Sequence, residues 1–338
     1  MDIRIPSRLA SGLATAALCV LSVAGIAAAP LALPGVLDYR LQYRSGQAVS
    51  IPYEDVPLAS GPEADESVGG DVLAVEPDMS KTHSTPAADF DASLCRAGIL
   101  SVTCKLKTDD TVKCVLTHPD GNPYTYDIRP GVPAVFTLTG GDGKYSVKIM
   151  QHTTGKKYRS VASWSFEAEG ILEDAMYVQS CLYIDYRNAE DATGLAESLS
   201  GTELETVDAI YQYVARHVEY DKEKARTVSK IYAPDLDSTL SSGKGICMDY
   251  AALTAGMLRS EGVPCRMLFG DLSNSTYHAW IEVYSEDGGW LDESGVYLEP
   301  GEWTRLDPTM AHSAIRNPVA GNRFVANDKN YDAPKYVY

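Results

Sequence analysis

The spacing of apolar residues changes three times along the chain and divides it into four parts. Residues 9–29 form an almost continuous apolar run, and residues 30–90 show no hydrophobic period. Residues 91–170 alternate between apolar and polar positions, and residues 171–338 begin with helical spacing. Alternation indicates strands with one buried face, whereas apolar residues three and four apart indicate amphipathic helices. The pattern predicts a targeting segment over 1–29, a linker over 30–90 and two folded domains over 91–170 and 171–338.

The N-terminal apolar run has the features of an export signal. Arg4 and Arg8 precede it, and the small residues Ala27, Ala28 and Ala29 end it before a proline. This order is typical of a signal peptide, although the length of the run leaves an uncleaved membrane anchor as the alternative. The stretch that follows is rich in Pro, Gly, Ser, Ala and acidic residues, which predicts a disordered, acidic linker.

The alternating region predicts an all-β domain. Its apolar and polar positions alternate in short runs, separated by turns rich in Gly, Asp and Asn. The predicted strands cover residues 99–107, 112–117, 124–128, 134–139, 145–151 and 157–169. Strands at this close and regular spacing are typical of a small immunoglobulin-like sandwich.

The last part of the chain predicts an α+β domain. Thr202 and Glu205 form a capping box ahead of a helix that reaches His217, and a second helix runs from Cys247 to Gly262. Short strands follow, over residues 264–269, 279–284, 290–291 and 303–306. Helices followed by antiparallel strands are typical of the α+β class.

Charge excludes two classes of partner. The 338 residues carry a formal net charge of -17 and show no basic stretch with interleaved aromatic residues. A protein that binds phosphate groups needs a basic face, so neither a nucleic acid nor an anionic lipid surface is expected as a partner.

Six of the seven cysteines lie beyond the apolar run, and some should pair in an exported protein. Cys104 and Cys114 flank a predicted hairpin turn over 108–111, which favours a disulfide between them. Cys95 with Cys181 is a second candidate pair, and Cys265 is the candidate for a free thiol. The spacing alone does not determine the connectivity.

One segment indicates thiol chemistry. Cys247 lies between Gly243–Gly245 and an apolar helix, so unpaired N–H groups of the first helical turn would stabilise a thiolate there. His278, in a strand, would be the proton shuttle, and Asp307, at a strand end before proline, would orient the imidazole. The backbone N–H of Cys247 could donate to an oxyanion, with Tyr232 or a residue near Asp235 as a second candidate.

Each of these residues also has a plain structural interpretation. Cysteines that open apolar helices are often only core residues, and Asp-Pro is usually a turn. Asp249, two residues after the cysteine, fits a role in helix capping. Cys247 and His278 lack two further ligands at metal-binding spacing, so no metal or cofactor is expected.

The three motifs together resemble the transglutaminase-like superfamily. The resemblance is carried by GKGICMDYAALTAGMLRSEGVPCRMLFGD around Cys247, YHAWIEVY around His278 and WTRLDPTM around Asp307. It is close over residues 205–310, and residues 91–338 more loosely resemble exported bacterial proteins with a β-domain before this core. The resemblance implies a papain-like core and a catalytic triad of Cys247, His278 and Asp307.

The resemblance implies an exported thiol enzyme that acts on amide groups through a thioester. Members of the superfamily include transglutaminases, peptidases, other amide hydrolases and inactive relatives, so transamidation and hydrolysis both stay open. The expected substrate is a protein or peptide at the cell surface, with cell-wall peptide as one candidate, and contact with a membrane is expected only through an uncleaved anchor. The alternative is a non-catalytic surface module that uses the same fold to bind a partner.

Overall fold

The structure is a computed structural model that describes residues 75–229, 232–314 and 324–338. The predicted signal peptide, over 1–29, and most of the predicted linker lie outside these residues. Within the described part, no helix combines the length and the apolar character needed to cross a membrane.

Two antiparallel four-stranded sheets form the first folded part. One sheet has the strand order β1-β2-β3-β6 and the other the order β5-β4-β7-β8. The strands are β1 Thr82–Ser84, β2 Ala88–Asp91, β3 Ile99–Cys104, β4 Val112–Thr117, β5 Pro123–Ile128, β6 Pro133–Thr137, β7 Gly143–Thr154 and β8 Lys157–Ala168. All six predicted strands are present, with small differences at their ends. The immunoglobulin-like assignment of this sandwich stays a prediction.

The folded part begins before the predicted boundary at residue 91. Strand β1 lies within the range 30–90 that the sequence predicts as linker, and β2 begins there and ends at Asp91. Strand β2 pairs with β3 along its whole length. Ala88 and Phe90 are buried on one face of β2, and the ring centroid of Phe90 lies 6.0 Å from that of Trp164. The two strands are so short that their alternation does not stand out from the neighbouring polar sequence.

The expected disulfides are absent from the structure. The six cysteines of the described residues are free, five of them buried. Cys104 and Cys114 do not face each other across one hairpin, because β3 and β4 belong to different sheets, and the expected disulfide between them is not formed. Cys95 and Cys181 are likewise unpaired, and Cys265 is a free thiol as expected.

Seven helices and a second set of strands form the rest of the described chain. The helices are α1 Glu173–Met176, α2 Glu190–Leu199, α3 Glu203–His217, α4 Lys222–Thr227, α5 Leu236–Ser242, α6 Cys247–Ser260 and α7 Pro308–Ala314. The predicted capping box at Thr202 starts α3, and its predicted apolar face, Val207, Ile210, Tyr211 and Val214, is buried.

An antiparallel sheet with the order β15-β12-β11-β16 supports these helices. Its strands are β11 Cys265–Asp271, β12 Tyr277–Ser285, β15 Glu302–Leu306 and β16 Tyr336–Val337. Two smaller two-stranded sheets pair β9 Glu219–Tyr220 with β10 Lys244–Gly245, and β13 Gly289–Leu291 with β14 Val296–Leu298. Helix α6 is buried over most of its length and packs on β11 and β12. Because α6 lies on this sheet, its first residue, Cys247, meets the start of β12. The mixed helix and sheet content agrees with the predicted α+β class.

Candidate active site

Cys247 is the first residue of helix α6, as the sequence predicts. Helix α5 ends at Gly243, whose left-handed φ of 59° lets the chain turn back through β10. Ile246 then has extended backbone angles and precedes the first helical turn. The side chain of Cys247 is partly exposed, whereas the other five cysteines of the described residues are buried. Its backbone N–H, at the first helical position, has no acceptor within the helix.

Asp249 caps the helix that Cys247 begins, which confirms the expected capping role. Its Oδ2 accepts a hydrogen bond of 2.8 Å from the backbone N–H of Ile246. Gly245 makes room for this contact, because a Cβ atom at that position would lie 2.6 Å from the Cβ of Asp249. Tyr232, a candidate oxyanion donor from the sequence, instead donates its hydroxyl proton to Asp249.

His278 lies near the start of β12 and is only 4% exposed. Its Nε2 is 2.8 Å from Oδ2 of Asp307, which leaves Nδ1 for a second partner. Burial alone would lower the pKa of His278, but the charge and hydrogen bond of Asp307, with a hydrogen bond to Cys247, raise it to about 10. The imidazole is therefore held as the cation at neutral pH.

Asp307 is fixed by both its carboxylate oxygens. Oδ1 accepts from the backbone N–H of Met310 at 3.0 Å, and Oδ2 accepts from His278. These contacts make Asp307 the cap of α7, with Pro308 at the first helical position, where proline's missing N–H costs nothing. The strand end predicted at Asp307-Pro308 is confirmed, because β15 ends at Leu306, but the same pair also starts a helix that the sequence pattern does not predict.

Tyr331 also contributes to the site, although no sequence pattern predicts it. Its hydroxyl donates to the same Oδ2 of Asp307 at 2.8 Å, so two donors hold one carboxylate oxygen. Its ring packs edge-on against Trp280, with centroids 5.1 Å apart, and Trp280 in turn stacks on His278. A lone tyrosine in a polar segment gives no sequence signal of such a role, because only the fold brings it to Asp307.

The structure brings together the three residues that the sequence singles out. The imidazole of His278 hydrogen-bonds Asp307 through Nε2, and Cys247 lies near enough to contribute to its raised pKa. A thiol at a helix N-terminus beside an imidazolium can attack a carbonyl carbon as the thiolate. Among the described residues, no group of three or more His, Cys, Asp or Glu side chains is arranged to hold a metal ion.

Comparison with known proteins identifies the same region. The family model of the transglutaminase-like superfamily matches residues 193–292, which include Cys247 and His278 and end before Asp307. UPF0252 protein MJ1282 of Methanocaldococcus jannaschii is 27% identical over 126 residues, which cover 34% of this chain and 36% of that protein. The kyphoscoliosis peptidase of Mus musculus is 30% identical over 128 residues, which cover 38% of this chain and 19% of the peptidase.

A solved structure gives a weaker likeness. The transglutaminase of red sea bream is 13% identical, with 63% of this chain and 48% of that chain covered and a TM-score of 0.28. A score at this level carries no argument about the architecture. The chain spans about a third of the archaeal relative (36%) and about a fifth of the mouse peptidase (19%). Residues 193–292 are therefore the part of the chain that matches the transglutaminase-like superfamily.

Proposed function

We propose that the protein is an exported thiol enzyme that transfers or hydrolyses acyl groups of protein or peptide amides. Cys247 is the nucleophile, His278 moves the proton, and Asp307 orients the imidazole. The observation that carries the proposal is the 2.8 Å hydrogen bond between His278 and Asp307, with Cys247 near enough to the same imidazole to help raise its pKa. The match of residues 193–292 to the family model of the transglutaminase-like superfamily supports the class of chemistry.

The reaction follows from these positions. The Cys247 thiolate adds to the carbonyl carbon of a carboxamide or peptide bond, and the oxyanion accepts a hydrogen bond from the N–H of Cys247. The imidazolium of His278 protonates the departing nitrogen, which leaves as ammonia or an amine while a thioester forms. Neutral His278 then takes a proton from a water or a primary amine as that group attacks the thioester. The products are an acid or a new amide, and the thiolate is restored beside the imidazolium.

The place of action and the substrate belong to the same proposal. The apolar run over residues 9–29 supports export to the cell surface, and the net charge of -17 favours neither nucleic acid nor anionic lipid. We propose surface proteins or peptides, with wall peptide among them, as the substrates. We also propose that the sandwich ahead of the core is an immunoglobulin-like domain.

Mass spectrometry of peptides tests the function. A panel of glutamine-containing peptides is incubated with the full chain and a primary amine, beside the variants Cys247→Ala and Cys265→Ala. Cys265→Ala is the matched control, because it removes a buried thiol. Burial raises the pKa of that thiol to about 12, so this variant should keep activity. Amine adducts absent only from Cys247→Ala indicate a transglutaminase, and deamidated or cleaved peptides absent only from that variant indicate a hydrolase.

The competing hypothesis is a non-catalytic surface module that binds a partner. It predicts that no peptide changes and that iodoacetamide labels Cys247 no faster than the buried cysteines near neutral pH. Both results together would overturn the proposed enzyme. Equal turnover by Cys247→Ala and the unchanged chain would overturn the assignment of the nucleophile.

A further inference from the structure

The first turn of α6 contains a carboxylate in addition to the proposed nucleophile. Asp249 is completely buried. Its Oδ2 accepts from Nζ of Lys224 at 2.7 Å as well as from the N–H of Ile246, and its Oδ1 accepts from the hydroxyl of Tyr232. A buried carboxylate is stable only when its oxygens are hydrogen-bonded and its charge is compensated, and this cluster supplies both.

Lys224 is held where it can compensate that charge. It lies on α4, and the helix is capped by Asp221, whose carboxylate accepts from the backbone N–H of Lys224 at 2.8 Å. Its Nζ also lies 2.7 Å from the hydroxyl oxygen of Tyr232 and 4.6 Å from the centre of that ring. One ammonium group therefore contacts both the buried carboxylate and the tyrosine hydroxyl that donates to it.

The position of Asp249 creates an electrostatic conflict for a thiolate. The N-terminus of a helix favours negative charge, which helps both a carboxylate and a thiolate in the first turn. Two negative groups in the same turn repel each other, so an uncompensated Asp249 would disfavour the thiolate of Cys247. The positive ammonium of Lys224 compensates the negative charge of Asp249, so this pair exerts little net repulsion on a thiolate at Cys247.

We propose that Lys224 is a positioning residue that holds Asp249 as a charge-compensated helix cap, with Tyr232 as structural support, so that the N-terminus of α6 acts on the sulfur of Cys247. The inference rests on the proposed role of Cys247 as the nucleophile. It assigns Asp249, Lys224 and Tyr232 no contact with the substrate.

Gly245 and the neighbouring charges define the setting of this cluster. A side chain at Gly245 would collide with Asp249, since its Cβ would lie 3.3 Å from the carboxylate carbon and 2.6 Å from Cβ. Helix α6 therefore requires glycine one residue before its N-cap. The other titratable groups that face Cys247 or this cluster are His278 and Tyr277 on β12, Tyr220 on β9, Asp221 before α4 and Asp235 before α5.

The pH dependence of alkylation at Cys247 tests the proposal without knowledge of the substrate. The full chain is treated with iodoacetamide over a range of pH, and the labelled peptide that contains Cys247 is quantified by mass spectrometry. Lys224→Met should move the midpoint of the rate profile up by about 1 pH unit, because Asp249 is then uncompensated. Asp249→Asn should move it down, because Lys224 then attracts the thiolate alone. The double variant should return close to the original midpoint.

Two further variants separate the electrostatic role from simple stability. Arg226→Met removes one positive charge from an exposed position of α4, where the arginine pairs with an exposed Glu223, and should leave the midpoint unchanged. Tyr232→Phe keeps both charges and should lower thermal stability with little shift of the midpoint. A purely structural cluster would not give shifts of opposite sign in Lys224→Met and Asp249→Asn.

The outcomes are distinguishable from those of the enzyme assay. Midpoints that stay fixed, or that move in the same direction in both single variants, would overturn the proposal. If Lys224→Met fails to fold, a midpoint in Asp249→Asn that does not fall is enough to overturn it. If the midpoints shift in opposite directions but the chain converts no amide, the inference stands and the proposed function fails. If the chain converts amides but the midpoints do not shift in this way, the proposed function stands and the inference fails.

Discussion

His278 illustrates how a single residue couples the site to the stability of the whole chain. In the unfolded chain its imidazole has an ordinary pKa of 6.5. In the folded chain burial alone would lower this pKa, but the interactions with Asp307 and Cys247 outweigh burial and raise it to about 10. A group with a raised pKa in the folded state binds its proton more tightly there. Its contribution to stability is complete below pH 6.5 and is lost as the pH rises through about 10.

This linkage predicts the pH dependence of unfolding. Between pH 7 and pH 9 the unfolded chain releases the proton and the folded chain keeps it, so the free energy of unfolding should fall by up to about 1.4 kcal/mol per pH unit. Urea unfolding at several pH values measures this slope. His278→Gln should flatten it, whereas His152→Gln, at a half-buried site on β7 of the sandwich, should keep it. Equal slopes in the two variants would mean that His278 is not held as the cation.

At the scale of secondary structure elements, the sequence predicts best where the signal is local. The capping box at Thr202 and the apolar face of α3 can be identified from residues close in sequence, and both are present. The helix that starts at Asp307-Pro308 was missed because α7 is only seven residues long and has little periodicity to detect. Tyr331 could not be found at all, since its contact with Asp307 spans 24 residues and has no periodic pattern.

The junction between β10 and α6 allows a test with two glycines. Gly245→Ala should destabilise the fold by about 1–3 kcal/mol, because the new methyl group meets the Cβ of Asp249 at 2.6 Å. Gly194→Ala, inside α2, meets no atom within 4 Å and should stabilise the fold by about 0.5–1 kcal/mol. Urea unfolding of both variants gives the two changes in free energy.

The same pair of variants also connects the junction with the site. Gly245→Ala should slow alkylation of Cys247, because displacement of Asp249 disturbs the first turn of α6. Gly194→Ala should leave the alkylation rate unchanged. A destabilised Gly245→Ala with normal alkylation would show that the first turn tolerates the movement of its cap.

At the scale of the whole molecule, non-local pairing limits what the sequence can predict. The strands of the sandwich follow from alternation, but the order of strands in its sheets depends on contacts between distant residues. Cys104 and Cys114 are close in sequence, and only the division of β3 and β4 between two sheets separates them. The position of β16 also depends on a long-range contact, because it joins the core sheet by pairing with β11, about 70 residues earlier in the chain.

Residues 336–338 join the sandwich to the core, and Tyr338 lies at the centre of that contact. Its ring centroid lies 5.7 Å from that of Tyr124 and 5.9 Å from that of Tyr126 in the sandwich, and 5.0 Å from that of Tyr183 and 5.5 Å from that of Phe269 in the core. Its backbone oxygen accepts from the buried guanidinium of Arg259 at 2.9 Å. The two parts of the chain therefore share one aromatic cluster.

Removal of this ring should weaken the coupling between the two parts as well as the stability of each. Tyr338→Ala should cost about 3–5 kcal/mol, as expected for a buried aromatic side chain, and Tyr297→Ala, on the exposed hairpin β13–β14, should cost far less. Differential scanning calorimetry should show one cooperative transition in the original chain and two in Tyr338→Ala, because the variant loses the contacts of this ring with both parts of their shared buried cluster. A single transition at lower temperature in Tyr338→Ala would mean that the two parts still unfold together through their remaining contacts. The ring of Tyr338 would then stabilise the chain without being needed to couple the sandwich to the core.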